Sequence, residues 1–388
     1  MASNDELDMS MEVEPSRCAF LYQPSVATID IDKRGDLILL VGKHKCKIKA
    51  NGDHQHTEAM AFRVCSRSLA RSSPVMEAML FGNFREATQT TIELTEDDPK
   101  AMQMLLHRAH GSLKEIYADI DKERREDCPE GKFVDDVYSL VVLANKYLMT
   151  QHFRPFMAQW CNLLMSWEAE EESRDTSIFY ERLEKSMWIA SEFGHLELYQ
   201  TMFRYLTWHL EPNHHLFRHV LEPDGVADHI RLGRLNDINS ILTPTRNAIN
   251  ALMNDADPTG LYLCNQPVRE DRLNCQAHTL GHMIRNLTVN FLWPLPNAED
   301  ITETAQELVV DFQNTLWQDH TSLHENCTTK TAIGTQTDNT LERSGEYDSI
   351  PLAILQSMYS TAEGLNAFEF ESMFSNAMAN VVHDDEAL

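Results

Sequence analysis

No apolar run in this chain comes near the roughly 20 residues that a bilayer-spanning helix needs. The stretches "LILLV" and "SLVVLA" are far too short. Positive charge is scarce as well: 33 Lys and Arg stand against 60 Asp and Glu, for a formal net charge of -27. Such a balance repels phosphate backbones and anionic membrane surfaces, so nonspecific nucleic-acid binding and membrane attachment are not expected. The eight cysteines, at 18, 46, 65, 128, 161, 264, 275 and 327, include no CxxC pair and no dense disulfide-like spacing, which suits a reducing compartment. The leading "MASNDELDMSMEVEPS" lacks the apolar core of a secretory signal. Cytoplasm or nucleus is the expected location, and the sequons beginning at Asn286 and Asn326 are expected to stay unglycosylated. Motifs of catalysis are missing too: there is no GxSxG, HExxH, Walker loop or GxGxxG. An enzyme is not expected, and no cofactor is implied.

Core material, by contrast, is ample, since 43% of the 388 residues are hydrophobic. The length suggests two or three domains. Residues 1–24 are acidic and read as a disordered lead-in. Leu37 to Val41, bounded by Gly35 and Gly42, has the pattern of a buried strand. Asn51-Gly52 then predicts a tight hairpin turn between two extended segments, with Lys49 opposite His54 and Lys47 opposite His56. Ser66 to Ala70 makes a short helical turn. Ser73 caps a second helix with Pro74 at its first position and Met76, Met79 and Leu80 inward; Gly82 ends it. "TTIELTEDD" reads as a strand, and Asp98-Pro99 as the start of a helix lined by Met102, Leu105, Leu106 and Ala109.

Residues 112–132 are highly charged and predict an exposed insertion. Val137, Leu140, Val141, Ala144, Tyr147 and Leu148 form a helical stripe, and Phe153, Phe156, Met157, Trp160, Leu164 and Trp167 form another. A helical pair over about 177–193 and 196–210 hinges at Gly194 and stops at Pro212. Residues 213–243 are weakly patterned. Thr243-Pro244 is expected to open a helix through Ile249, Leu252 and Met253; Leu280, Ile284, Leu287 and Phe291 line another, and Leu308, Phe312 and Leu316 a third. From 328 to 388 the composition predicts a largely disordered tail, with a short helix near 350–360. Its segment "FEFESMFSNAMANVVHDDE" has the alternation of a partner-binding helix or of solvated disorder.

Four stretches in order carry a family resemblance. "GDLILLVG", "FRVCSRSLARSSPVMEAML", "TIELTEDDPKAMQMLLHRAHG" and "VYSLVVLANKYLM" resemble the core strand, the strand with helical hairpin, the strand–turn–helix and the closing helix of the BTB/POZ domain, in particular of fungal proteins that carry it. "LEKSMWIASEFGHLELYQTMFRYL" and "LWPLP" resemble downstream elements of the same fungal proteins. The resemblance implies an α+β BTB/POZ fold, a small mixed sheet flanked by helices, over 25–150, then a helical extension over 151–212 and a mainly helical region over 213–327. Two departures stand out. Cys65 and Ser66 occupy positions where the family often has His and a basic residue, and no amphipathic helix precedes Asp36. The implied function is non-catalytic protein–protein recognition, either by oligomerisation and scaffolding or as a substrate adaptor of a cullin-based ubiquitin ligase.

The triplet Phe84-Arg85-Glu86 is the candidate partner-binding site. Adaptors of that kind use a hydrophobic-x-Glu triplet after the helical hairpin, where an exposed aromatic supplies desolvation energy and the carboxylate sets orientation. The plainer alternative folds Phe84 back over the helix end. His278 and His282, four apart, with Cys264 and Cys275 before them and His320, His324 and Cys327 after, have zinc-ligand chemistry but cysteine spacing wider than zinc sites use, so polar or core packing is the competing reading. In the group His44, Cys46, His54 and His56, hairpin alternation is expected to place Cys46 on the opposite face from His54 and His56. Cys65 is expected to be a buried, inert thiol.

Overall fold

The computed structural model describes residues 28–42, 45–48, 54–57, 59–112, 132–167, 176–223, 225–254 and 264–317. The lead-in over 1–24, the turn at Asn51-Gly52, nearly all of the insertion over 112–132, and the tail over 328–388 lie outside them. Two compact units divide the chain, Met1–Leu163 and Leu164–Leu388.

The first unit is built on a four-stranded sheet of β1 (Thr28–Asp30), β2 (Leu37–Val41), β5 (Met60–Val64) and β6 (Thr91–Leu94), in the order β1-β5-β2-β6. The sheet is mixed: β2 runs antiparallel to β5 and parallel to β6, while β1 runs parallel to β5. Alternation along β2 sends Leu37, Leu39 and Val41 into the core, where they meet Phe62 and Val64 of β5. The strand β1 was not foreseen. Its edge is fastened by Arg63, which pairs with Asp30 at 3.1 Å, its cross-strand neighbour.

A separate two-stranded ribbon holds β3 (Lys45–Ile48) and β4 (His54–Thr57). Its register departs from expectation, because Cys46 lies opposite His56, Lys47 opposite Gln55 and Ile48 opposite His54. Five positions, an odd number, separate Ile48 from its partner His54 in the sequence, whereas a two-residue turn at Asn51-Gly52 requires an even one. Cys46 is thereby the direct cross-strand partner of His56, and its expected separation from the histidines is overturned. The extended run ending in Val64 also belongs to two sheets, β4 to the ribbon and β5 to the main sheet.

Helices α1 (Ser66–Ser72), α2 (Pro74–Phe81), α3 (Pro99–Ala109) and α4 (Lys132–Lys146) flank the sheet. Two caps act as the sequence suggests: Ser73 accepts from the Met76 amide at 3.0 Å, and Asp98 from the Ala101 amide at 2.8 Å. Met76, Met102, Leu105, Leu106, Leu140 and Val141 complete the core. The stripe of α4 ends sooner than its pattern suggests. Leu148 lies beyond the helix at φ 52° and is exposed, because the chain turns there to bring Met149 and Phe153 inward. Next, α5 (Arg154–Trp167) buries Trp160, stacked 5.6 Å from Phe156 and 6.1 Å from Phe153.

The second unit is helical among its described residues. Helices α6 (Thr176–Phe193) and α7 (Leu196–His209) pack together across Gly194, whose φ of 67° lies in the left-handed region that favours glycine. The 29-residue α8 (Val226–Asn254) overturns the expected helix start at Thr243-Pro244, since Pro244 sits inside it. Interior proline is disfavoured by about 3 kcal/mol. Here Ile238, Ile241 and Leu242 before it and Ala248, Ile249 and Leu252 after it are all buried, and their joint burial outweighs that penalty. The first half of α8 reads as weakly patterned because two of its inward positions are the polar Arg234 and Asp237.

With α9 (Arg269–Val289) and α10 (Ala305–Trp317), α8 encloses a core containing Met283, Leu287, Leu308 and Phe312. Phe291, expected in that stripe, is instead 94% exposed at φ 60°. The helix ends at Val289, and Leu292 turns inward in its place.

Candidate protein-interaction surface

The end of α2 and the turn after it fix the path of the segment that follows. The helix ends on Phe81 with Gly82 as its cap, where a Cβ would lie 2.3 Å from the Ala78 carbonyl oxygen. Only glycine lets the backbone leave α2 so closely. The chain then enters a 3-10 turn, Arg85–Thr88, with Phe84 immediately before it. The Phe84 carbonyl accepts from the Ala87 amide at 3.2 Å, the Glu86 carbonyl from the Gln89 amide at 3.0 Å, and the Thr88 hydroxyl donates to the Arg85 carbonyl at 3.1 Å. The triplet is thus held by its own backbone, which leaves its side chains for the surface.

Phe84 is 60% exposed and Phe81 is 57% exposed. Arg85 is exposed and Glu86 partly so. At this exposure the Phe84 ring is not part of the core. Phe81 escaped notice in the sequence; its signal was position, five residues past Met76 and so well round α2 from the buried face.

The platform beneath is tied by buried polar groups. Asp97, at the turn between β6 and α3, accepts from the Tyr147 hydroxyl at 2.6 Å and from Lys146 at 2.5 Å. Burial, reinforced by the Asp97 carboxylate, pushes the Tyr147 phenol far above its ordinary range. Ser73 performs two tasks, since its hydroxyl also donates to the Tyr147 carbonyl at 2.6 Å. The departures at Cys65 and Ser66 have their own contacts. Ser66 donates to Asp36 from its amide at 2.8 Å and its hydroxyl at 2.6 Å, and these bonds hold the Asp36 carboxyl below its usual value. The Cys65 amide donates to Nε2 of His110 at 3.0 Å, so the ring's Nδ1 carries the proton it gives to the Leu106 carbonyl at 2.8 Å. Cys65 itself is half-buried, against the buried thiol expected.

The zinc-type residues divide into pairs. Cys264 and Cys275 are buried together, and the rings of His278 and His282 lie 4.5 Å apart on α9. Among the described residues no group of three or more His, Cys, Asp or Glu is placed to hold a metal ion. His44, His320, His324 and Cys327 lie outside those residues, as does the chain before Asp36 where an amphipathic helix was not foreseen, up to residue 27.

The first unit is thus a small mixed sheet flanked by helices, with two aromatic side chains displayed beside its helical hairpin. A BTB/POZ domain is found at residues 55–123, where the model of that family matches. The comparison with curated proteins gave no match.

Proposed function

We propose that this chain is a non-catalytic scaffold, working in cytoplasm or nucleus, whose BTB domain joins protein chains by self-association or by holding a partner. The observation that supports this reading is the pair of exposed phenylalanines, Phe81 and Phe84, set on a backbone fixed by Gly82 and the 3-10 turn. Large aromatics held rigid at a surface are the usual anchors of protein interfaces. The likeness of the α6–α7 segment and of "LWPLP" to fungal proteins with this domain belongs to the same reading. Sedimentation or light scattering of the full chain tests it, with a dimer or larger assembly expected in the micromolar range. A monomer at every concentration, together with no captured protein partner, would remove the proposal.

The exposed Phe84 beside Glu86 favours a second reading, the substrate adaptor of a cullin-based ligase. A pull-down with purified cullin compares wild type with Phe84→Ala and Glu86→Lys. Loss of a central aromatic anchor weakens binding by about 30-fold or more. Equal capture of all three proteins, or none of wild type, rules the adaptor out.

A further inference from the structure

At the entrance to α9, Cys264 and Cys275 form a buried cluster of their own, 3% and 2% exposed, apart from the large core of the second unit. Neither is in a disulfide in this structure. They bracket the junction that leads into α9. Val268, at the N-cap, offers no side-chain bond to the first turn, and the approach is held by Arg272, which donates to the carbonyls of Gln266 at 3.0 Å and Pro267 at 3.3 Å. Next to Cys275, the amide of Gln276 is 3% exposed with neither its nitrogen nor its oxygen hydrogen-bonded among the described residues. A buried amide without partners lowers the free energy of local opening, which gives small solutes access to the neighbouring thiols. His278 stands one helical turn beyond Cys275 on the same flank, as a base of suitable type for a thiol proton.

We propose that Cys264 and Cys275 are a reversible redox pair that fastens the entry of α9 by a disulfide when a low-molecular-weight disulfide is in excess. The chemistry is two exchanges. One cysteine thiolate attacks glutathione disulfide, forming a mixed disulfide and releasing one glutathione thiolate. The second cysteine thiolate then displaces the other glutathione. Two protein thiols are oxidised, one glutathione disulfide is reduced to two glutathione thiols, and the two protons pass to these. The inference stands apart from the protein-recognition reading, since it concerns the second unit and needs no partner.

The test treats the full chain with glutathione disulfide, alkylates remaining thiols, and maps the peptides by mass spectrometry. The expected result is a Cys264–Cys275 cross-link, with loss of two alkylatable thiols and of two hydrogen atoms of mass, appearing ahead of any other pairing and reversed by dithiothreitol. In Cys264→Ser, Cys275 is expected to retain glutathione as a stable mixed disulfide. The proposal is overturned if wild-type Cys264 and Cys275 remain fully alkylatable while other cysteines oxidise, or if either pairs with a different cysteine. Since the decisive reading is made on wild type, a variant that fails to fold does not protect the idea.

Discussion

Asp97 and Asp98 are adjacent carboxylates with unequal duties. Asp98 caps α3 at its surface end, an interaction worth about 1 kcal/mol. Asp97 is buried and receives the Tyr147 hydroxyl and the Lys146 ammonium, so its removal strands a buried phenol and unties the end of α4 from the β6–α3 turn. Asp97→Ala is expected to lose about 2–4 kcal/mol, and Asp98→Ala about 1 kcal/mol. Urea unfolding at constant slope reads both, and equal losses would show that the buried contacts carry no extra stability. The sequence announced Asp98, because a cap before Pro99 is a local pattern. It could not announce Asp97, whose partners lie 49 and 50 residues away. The same limit applies to Ser66, whose partner Asp36 is 30 residues back. Phe84 and Glu86 were legible as a triplet, but the exposure of Phe84 depends on how closely Gly82 passes Ala78, which no local pattern records.

In the second unit buried titratable residues, among them the Asp237 that blurred α8, set the pH response. Burial raises Glu184 of α6 to about 7, against the opposing bond from the Phe217 amide. It raises Asp237 of α8 to about 7 as well, against the Thr207 hydroxyl. A raised carboxyl favours the folded state while protonated. Its contribution is full below the unfolded values of 4.5 and 3.8 and is lost as pH climbs through 7. Burial lowers His195 and His214 from 6.5, so their contribution is present above 6.5 and lost as pH falls. Between pH 8 and 6.5 the carboxyl contribution is the larger, opposed in part by the histidines, of which His214 faces Glu184 at 3.4 Å. Acidification across that window is expected to stabilise this unit, on the order of 1 kcal/mol per carboxyl. The check is a series of urea midpoints, which should flatten in Glu184→Gln with Asp237→Asn; midpoints that rise with pH would refute it. Helices with uniform apolar stripes, such as α3, α6 and α7, were plain from spacing. What stayed hidden were the features settled by distant packing: the parity of the ribbon, Pro244 inside α8, and the inward turns that leave Leu148 and Phe291 outside.

A net charge of -27 constrains how any copy of this chain meets another. Two such molecules repel, and the repulsion reaches about 10 Å at 0.1 M salt but only about 3 Å at 1 M. Burying Phe81 and Phe84 against a second copy is driven by apolar contact, which salt does not screen. Self-association is therefore expected to tighten as salt rises. Docking on a basic partner behaves oppositely, because opposite charges steer its encounter and screening removes that attraction. Light scattering of the full chain across a salt series, repeated with Phe81→Ser and Phe84→Ser, separates the two. Assembly that strengthens with salt and disappears in the double variant assigns the phenylalanine surface to contacts between copies. Assembly that weakens with salt, or persists without the two rings, places the contact elsewhere and leaves the phenylalanines for a different protein.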